Sequence, residues 1–298
     1  MSEHPDDHAD RFTPLRPLLF TIAYEILGSA TEADDVLQDA YLRWAEVDLD
    51  TVRDNKSYLA QVVTRQALNA LRATSRRREE YVGPWLPEPL LLDERDASSD
   101  TVLAESVSMA MLVVLETLSP DERAVFVLRE VFGFGYDEIA GAVGRPVATV
   151  RQVAHRAREH VHARRKRYAP VAETAEVTRR FMEASATGDV DGLLAVLAPT
   201  VTWTADGGGK RSAARRPVVG AERVVKVLLG MFRFAADMPA ARFELVTANG
   251  APSVVVRNGD ELEGIFLIEI TDGLITHLYA VRNPDKLAAL GVTREIGR

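Results

Sequence analysis

Apolar residues recur at helical spacing from the beginning of the chain. Leu15, Leu18, Leu19, Ile22, Ala23 and Ile26 form one stripe, and Gly28 closes it. Thr31, with Asp34 three residues on, predicts the next helix start. Val36, Leu37, Ala40, Tyr41 and Trp44 are its apolar face; Asp34, Asp35, Gln38 and Asp39 lie opposite. From Ser57 to Arg72 a third amphipathic helix shows Leu59, Val62, Val63, Ala67 and Leu71, and it runs into Arg76, Arg77 and Arg78. Pro84, Pro87 and Pro89 break the pattern, so 83–100 reads as a linker. Residues 101–165 return to helices. Ser119 is placed to cap a helix with Pro120 at its first position and Asp121 and Glu122 in its first turn, running to Val131. A short helix, Tyr136 to Val143, ends at Gly144, and another begins near Val147.

The period changes beyond Pro170. After one more amphipathic helix at 173–187, short helices alternate with β-rich runs at 201–203, 242–248, 253–258, 261–270 and 274–281. Turn residues separate the later runs: Asn249-Gly250, Asn258-Gly259-Asp260 and Asp272-Gly273. A meander of strands after helices predicts a curved sheet wrapped around helices. The fold class is therefore multidomain: two all-α helical domains followed by an α+β domain.

Composition narrows the setting. The 298 residues suit two or three domains. No apolar run approaches a membrane span, and the acidic start MSEHPDDHADRF lacks the apolar core of a signal peptide, so a cytoplasmic protein is expected. With no cysteine there is no disulfide, thiolate metal site or thiol nucleophile.

The net charge of −8 would argue against a nucleic-acid partner if it were spread evenly. Residues 1–50 hold 12 acids and 3 bases; 51–80 hold 7 bases and 3 acids; 144–168 hold 8 bases and one acid, Glu159. Charges more than about 10 Å apart are largely screened, so the two basic blocks act locally. In the second, a short helix, a glycine turn and a basic helix form a helix-turn-helix pattern. Val150, Val153, Ala154 and Ala157 would pack that basic helix, leaving Arg151, Gln152, His155 and Arg156 facing out.

At 13–168 these features resemble an extracytoplasmic-function sigma factor of the sigma-70 family. The segment 30–46, ATEADDVLQDAYLRWAE, resembles the region-two helix that docks on core RNA polymerase, and the segment from Leu118 to Glu159 resembles region four. Tyr81-Val82-Gly83-Pro84-Trp85-Leu86-Pro87-Glu88-Pro89, Asp206-Gly207-Gly208-Gly209-Lys210 and Asn283-Pro284-Asp285-Lys286-Leu287 resemble the motifs of a subgroup with a C-terminal SnoaL-like domain, a cone-shaped α+β barrel.

The resemblance implies region two at 1–80, a linker at 81–105, region four at 106–168 and a SnoaL-like regulatory domain at 173–298. It implies a transcription initiation factor whose partners are core RNA polymerase and promoter DNA, with no cofactor, metal or catalysis. Asp34, Asp35, Gln38, Asp39, Leu42 and Arg43 would meet the polymerase. Tyr58, Arg65, Gln66, Asn69, Arg72 and Arg76 would capture the −10 element, with Arg65 standing where many relatives carry Asn. Thr149, Arg151, Gln152, His155, Arg156 and Arg158 would contact the −35 element, Thr149 and Arg158 through phosphates. The cluster 164–167 would neutralise backbone charge. An intramolecular contact would join Trp85, Leu86, Pro87, Glu88 and Pro89 to Asp206, Gly207, Gly208, Lys210, Asn283, Pro284 and Lys286, with Trp85 as anchor and Glu88 as a partner for Lys210 or Arg211. A small ligand would find a cavity lined by Asp206, Trp203, His277, Tyr279 and Arg282. Two other functions remain open: a ligand-responsive helix-turn-helix regulator acting without polymerase, and a SnoaL-type cyclase or isomerase.

Overall fold

The computed structural model describes residues 5–92, 100–164 and 171–298. They form two compact units. One comprises residues 1–79, 92–165 and 294–298; the other comprises 80–91 and 166–293.

The first unit is helical. Helix α1 (Pro5–Phe12) precedes α2 (Arg16–Leu27), α3 (Ala30–Trp44) and α4 (Asn55–Glu79). Every residue of α2 from Leu18 to Leu27 is buried, the mark of a helix surrounded by others. Gly28 ends it in the left-handed conformation, φ 68°. The cap of α3 is Ser29, whose hydroxyl accepts from the Glu32 amide, rather than Thr31. Once glycine has turned the chain, the next hydroxyl is already placed to cap, so the helix starts earlier than the acidic pattern suggested.

After two short helices, α5 (Thr101–Ser106) and α6 (Met109–Leu115), comes α7 (Pro120–Phe126), which continues as one π turn through Val131. Ser119 and Glu122 form a full capping box at its start. Helices α8 (Tyr136–Val143) and α9 (Val147–His162) flank Gly144, again left-handed at φ 68°.

In the second unit, α10 (Val171–Thr187) and α11 (Val190–Val196) lead into β1 (Leu197–Asp206), β2 (Val218–Val219), α12 (Ala221–Ala236), and then β3 (Ala241–Ala248), β4 (Ala251–Asn258), β5 (Glu261–Thr271) and β6 (Leu274–Val281). The sheet order is β2-β1-β6-β5-β4-β3. Only the β1–β6 pair is parallel. Asn249-Gly250 and Asp272-Gly273 all have positive φ, which matches the twist of tight hairpins. The helices pack on one sheet face through Phe181, Leu193, Val224, Leu228, Trp203 and Ile268. A last short helix, α13 (Pro284–Leu287), follows β6.

Candidate functional site

The outer face of α3 carries the first candidate surface. Asp35, Gln38, Asp39, Leu42 and Arg43 are exposed along one stripe, at the three- and four-residue spacing that makes neighbours on a helix. Leu42 stands 59% exposed among charges, an apolar side chain turned largely to solvent. Asp34 differs. It is half-buried and accepts from Arg294, Nη2 to Oδ2 at 2.9 Å, with Arg16 at 3.5 Å. The 294–298 segment lies along α2: Leu92 bridges to Arg294, Ile296 is buried, and the Gly297 amide donates to Thr21 Oγ1 at 3.2 Å. A Cβ on Gly297 would come within 3.0 Å of Pro17, so the approach depends on glycine.

Helix α4 carries the second set. Tyr58 and Asn69 are exposed, and the Tyr58 ring packs 5.7 Å from Trp44. Gln66 is buried, and its amide has no hydrogen-bond partner among the described residues, so it does not face solvent as the sequence pattern suggested. The side chain of Arg76 lies outside the described residues. Arg65 and Arg72 are engaged by the helix-turn-helix. Arg65 donates to the Gly141 carbonyl at 2.5 Å, and Arg72 donates to Asp121 at 2.6 Å. A Cβ on Gly141 would meet the Gln61 side chain at 3.3 Å, so α8 approaches α4 closely because that residue is glycine. Arg145 donates to the other oxygen of Asp121 at 2.9 Å. Burial alone would raise the Asp121 carboxyl; the bonds from Arg72 and Arg145 outweigh it and hold it below its ordinary range.

Deeper in the same unit lies a polar node. Ser106 donates to Glu25 at 2.5 Å, and Arg123 donates through Nε to the Glu25 carbonyl at 2.7 Å and through Nη1 to Glu116. Glu25 and Arg123 are almost wholly buried. Burial pushes the Glu25 carboxyl up to about 8, against weaker pulls downward from Ser106 and Arg123. No sequence signal marked this node, because a single Glu in an apolar run carries no pattern.

On α9, Val150, Val153, Ala154 and Ala157 are buried, and Thr149, Arg151, Gln152, His155 and Arg156 face solvent. This is the side-chain set a recognition helix needs, with Arg151 and Gln152 exposed, Arg151 beside the Tyr136 ring and Arg156 3.8 Å from Glu122. Arg158 is different. It is half-buried and donates to Glu130 at 2.6 Å, which raises its already high pKa. Its position makes it a brace between α9 and the π turn. Of the 164–167 cluster, Arg164 is exposed and 165–167 lie outside the described residues.

In the second unit, the segment 81–91 is bound to the sheet domain. Asp206, at the end of β1, is fully buried and accepts four hydrogen bonds: Tyr81 Oη at 2.5 Å, the Leu86 amide at 2.9 Å, the Gly208 amide at 3.1 Å and Lys286 Nζ at 2.7 Å. Lys286 also donates to the Leu86 carbonyl and lies 3.8 Å over the Trp85 ring. Asn283 donates to Tyr81 Oη at 2.8 Å. Burial and the Asp206 carboxylate both push the Tyr81 hydroxyl upward, so it stays a donor. Gly208 is left-handed, and a Cβ there would lie 2.4 Å from Asn283. Farther along, Leu90 and Asn249 exchange two hydrogen bonds, at 2.8 and 2.9 Å, and Leu91 bridges to Ala248. Pro87, Glu88 and Pro89 are buried between these two grips.

Two details depart from the sequence reading. The deepest anchors are Leu86 and Leu90, while Trp85 is only half-buried beneath Lys286. Lys210 pairs with Asp285 at 2.6 Å, and Arg211 pairs with Glu261 and Glu263. Of the expected cavity residues, Trp203 and Arg282 line the apolar cavity of this domain. Asp206 is spent on the segment, and His277 and Tyr279 stack on each other beside Glu269.

Comparison with known proteins agrees with this architecture. The chain matches sigma-70 region 2 at residues 12–77, sigma-70 region 4 at 108–161 and a SnoaL-like domain at 178–278. It is 37% identical over 287 residues to the ECF RNA polymerase sigma factor SigJ of Mycobacterium tuberculosis, covering 92% of this chain and 91% of that protein. It is 32% identical over 297 residues to the probable ECF RNA polymerase sigma factor SigI of the same species, covering 97% and 98%. The crystal structure of M. tuberculosis SigJ superposes with a TM-score of 0.76, covering 95% of this chain and 99% of that one. A helical pair of sigma-70 modules joined to a SnoaL-like domain defines a class of transcription initiation factor. This chain belongs to the extracytoplasmic-function RNA polymerase sigma factors, in the form that carries a C-terminal SnoaL-like domain. Among the described residues no helix is long and apolar enough to cross a membrane.

Proposed function

We propose that this chain binds core RNA polymerase through the outer face of α3, contacts the −10 element through α4 and the −35 element through α9, and is restrained by its own C-terminal residues. The observation that carries the docking assignment is the exposed Leu42 within an otherwise charged stripe. An apolar centre with a polar rim is the composition of a binding patch. The membership of the M. tuberculosis relatives in the same family supports the choice of partner.

In the arrangement described, Arg65 and Arg72 are bonded to the helix-turn-helix module. They become available to phosphates only when α7 and α8 leave α4. Polymerase binding that favours the separated form would shift the population toward it, to the extent of its preference for that form. The segment 81–91, held by Asp206 and Lys286, fixes the length of chain left to bridge the two DNA-reading modules.

Run-off transcription with core enzyme, with and without this protein, tests the assignment. New specific transcripts are expected, and Leu42→Asp is expected to abolish them by weakening core binding. A wild-type chain that neither yields transcripts nor co-purifies with core enzyme would refute the reading. Removing residues 292–298 takes Arg294 away from Asp34 and is expected to raise the affinity for core enzyme several-fold, measured by fluorescence anisotropy. Equal affinity would remove that segment from the mechanism.

A further inference from the structure

Strand β3 is the outer strand of the sheet, and among the described residues no strand lies beyond it. It pairs with β4 over its whole length without a register shift, and it contains no proline or lysine. A bulge, a proline or a lysine commonly keeps an exposed edge from pairing, so β3 lacks the usual safeguards.

The turn that follows β3 fixes which of its backbone groups point outward. Ala248 and Ala251 close a two-residue hairpin over Asn249-Gly250, and such a closing pair exchanges hydrogen bonds. The backbone groups of Val246, Glu244 and Arg242 therefore point at β4, and those of Leu245, Phe243 and Ala241 point away from it. The Asn249 amide has the same outward parity and donates to the Leu90 carbonyl at 2.9 Å, while Leu91 bridges to Ala248. The segment 81–91 thus covers the C-terminal end of this edge. Arg242, Phe243, Glu244 and Leu245, ahead of that end, are all exposed.

Side chains alternate across the strand. Phe243 and Leu245, 49% and 60% exposed, share a face with their register partners Val256 and Val254. Phe234 of α12, 56% exposed, borders the same apolar cavity as Phe243. Arg242 and Glu244 lie on the opposite face, where Val255, Ile265, Leu267 and Tyr279 are buried. The exposed apolar surface of the sheet is therefore gathered at the β3 edge.

The sequence of β3 is complementary to itself in one antiparallel register. A two-fold axis at Glu244 would set two carboxylates directly opposite each other. An axis at Leu245 would bring Arg242 of one copy to Ala248 of the other, a position already taken by Leu91. An axis at Phe243 matches outward amides with outward carbonyls. It sets Phe243 against Phe243, Ala241 against Leu245 and, twice, Arg242 against Glu244. Opposite charges directly across two strands attract, and like charges repel. We propose that this chain self-associates through β3 in that register, so that two sheets join edge to edge around a central pair of Phe243 rings. The surface is independent of the promoter-binding assignment.

The experiment uses the full chain. Sedimentation equilibrium up to about 100 μM is expected to show the mass rising from the monomer's 32.8 kDa toward the dimer's. Glu244→Arg should weaken association about tenfold or more, and the charge-swapped double variant Arg242→Glu with Glu244→Arg should restore it. The chain has no cysteine, so a single introduced one reports the register without interference. Residues facing each other in a hydrogen-bonded pair have Cα atoms about 5.5 Å apart, within the span of a disulfide, so Phe243→Cys should form a covalent dimer under mild oxidation. Leu245→Cys should not, because the two copies of that residue would lie more than about 12 Å apart. A chain that stays monomeric, a Glu244→Arg variant that associates like the wild type, a double variant no better than the single, or equal cross-linking at both cysteine positions would each overturn the proposal.

Discussion

Replacing Lys286 with Met is expected to cost the sheet domain about 3–5 kcal/mol, the usual loss when one partner of a buried ion pair is removed. Lys286 and Asp206 are 7% and 0% exposed at the side chain, and their atoms lie 2.7 Å apart. Without the ammonium, Asp206 keeps Tyr81, the Leu86 amide and the Gly208 amide, but its charge has no counter-ion in a dry site. The segment 81–91 should then detach, because Lys286 also holds the Leu86 carbonyl and covers Trp85. Two measurements read this: a lower urea midpoint, and faster chymotrypsin cleavage after Tyr81 and Trp85. The double variant Asp206→Asn with Lys286→Met removes both charges and should recover part of the loss, the non-additivity expected of contacting residues. A single variant with the wild-type midpoint and cleavage rate would show that the ion pair does not hold the segment.

The second large effect concerns pH. The Glu25 carboxyl is raised to about 8 in the folded chain from 4.5 when unfolded, with burial the dominant cause. Between those values the unfolded chain gives up the proton and the folded chain keeps it. Folding stability therefore falls as pH rises through this window, by at most about 1.4 kcal/mol per pH unit, and levels off above pH 8. Below pH 4.5 both states are protonated and the penalty is absent. Glu25→Gln keeps the hydrogen bond from Ser106 without the titration. It should match the wild type near pH 4 and exceed it by several kcal/mol at pH 8, measured by urea unfolding of both proteins across the range. Parallel stability curves would show that Glu25 is not titrating in the window. Because Glu25 sits on α2 and its partners Ser106 and Arg123 sit on α5 and α7, the same substitution tests how firmly the two helical modules are joined.

Apolar residues at helical spacing were enough to locate α2 to α4 and α7 to α9, and β-rich runs bounded by turn residues were enough for β3 to β6. The recognition-helix residues were legible for the same reason: Val150, Val153 and Ala157 fix which side is inside, so Arg151 and Gln152 must be outside. Motif resemblance brought the 81–91 segment together with Asp206 and Asn283, positions far apart in sequence that no local pattern connects. What escaped depends on partners rather than pattern. Arg158 looks like any other basic residue of α9 until Glu130 is found beside it. Gln66 is polar yet buried, against the usual preference of its type. The bulge that leaves Glu263 without an opposite number on β4 is a one-residue irregularity in strand pairing, and it leaves no trace in the sequence pattern.

The grip on residues 81–91 also has a consequence in time. Tyr81 and Leu86 leave the ribosome long before their partners: Asp206 follows Leu86 by 120 residues, and Lys286 follows it by 200. At bacterial elongation rates of roughly 5–20 residues per second, the helical modules emerge and fold with the segment between them untethered for several seconds or longer. The Arg294 contact with Asp34 closes later still. Each newly made molecule therefore has a period in which its helical modules are formed and the grip on 81–91 is not, and that period closes when the strands and Lys286 have emerged.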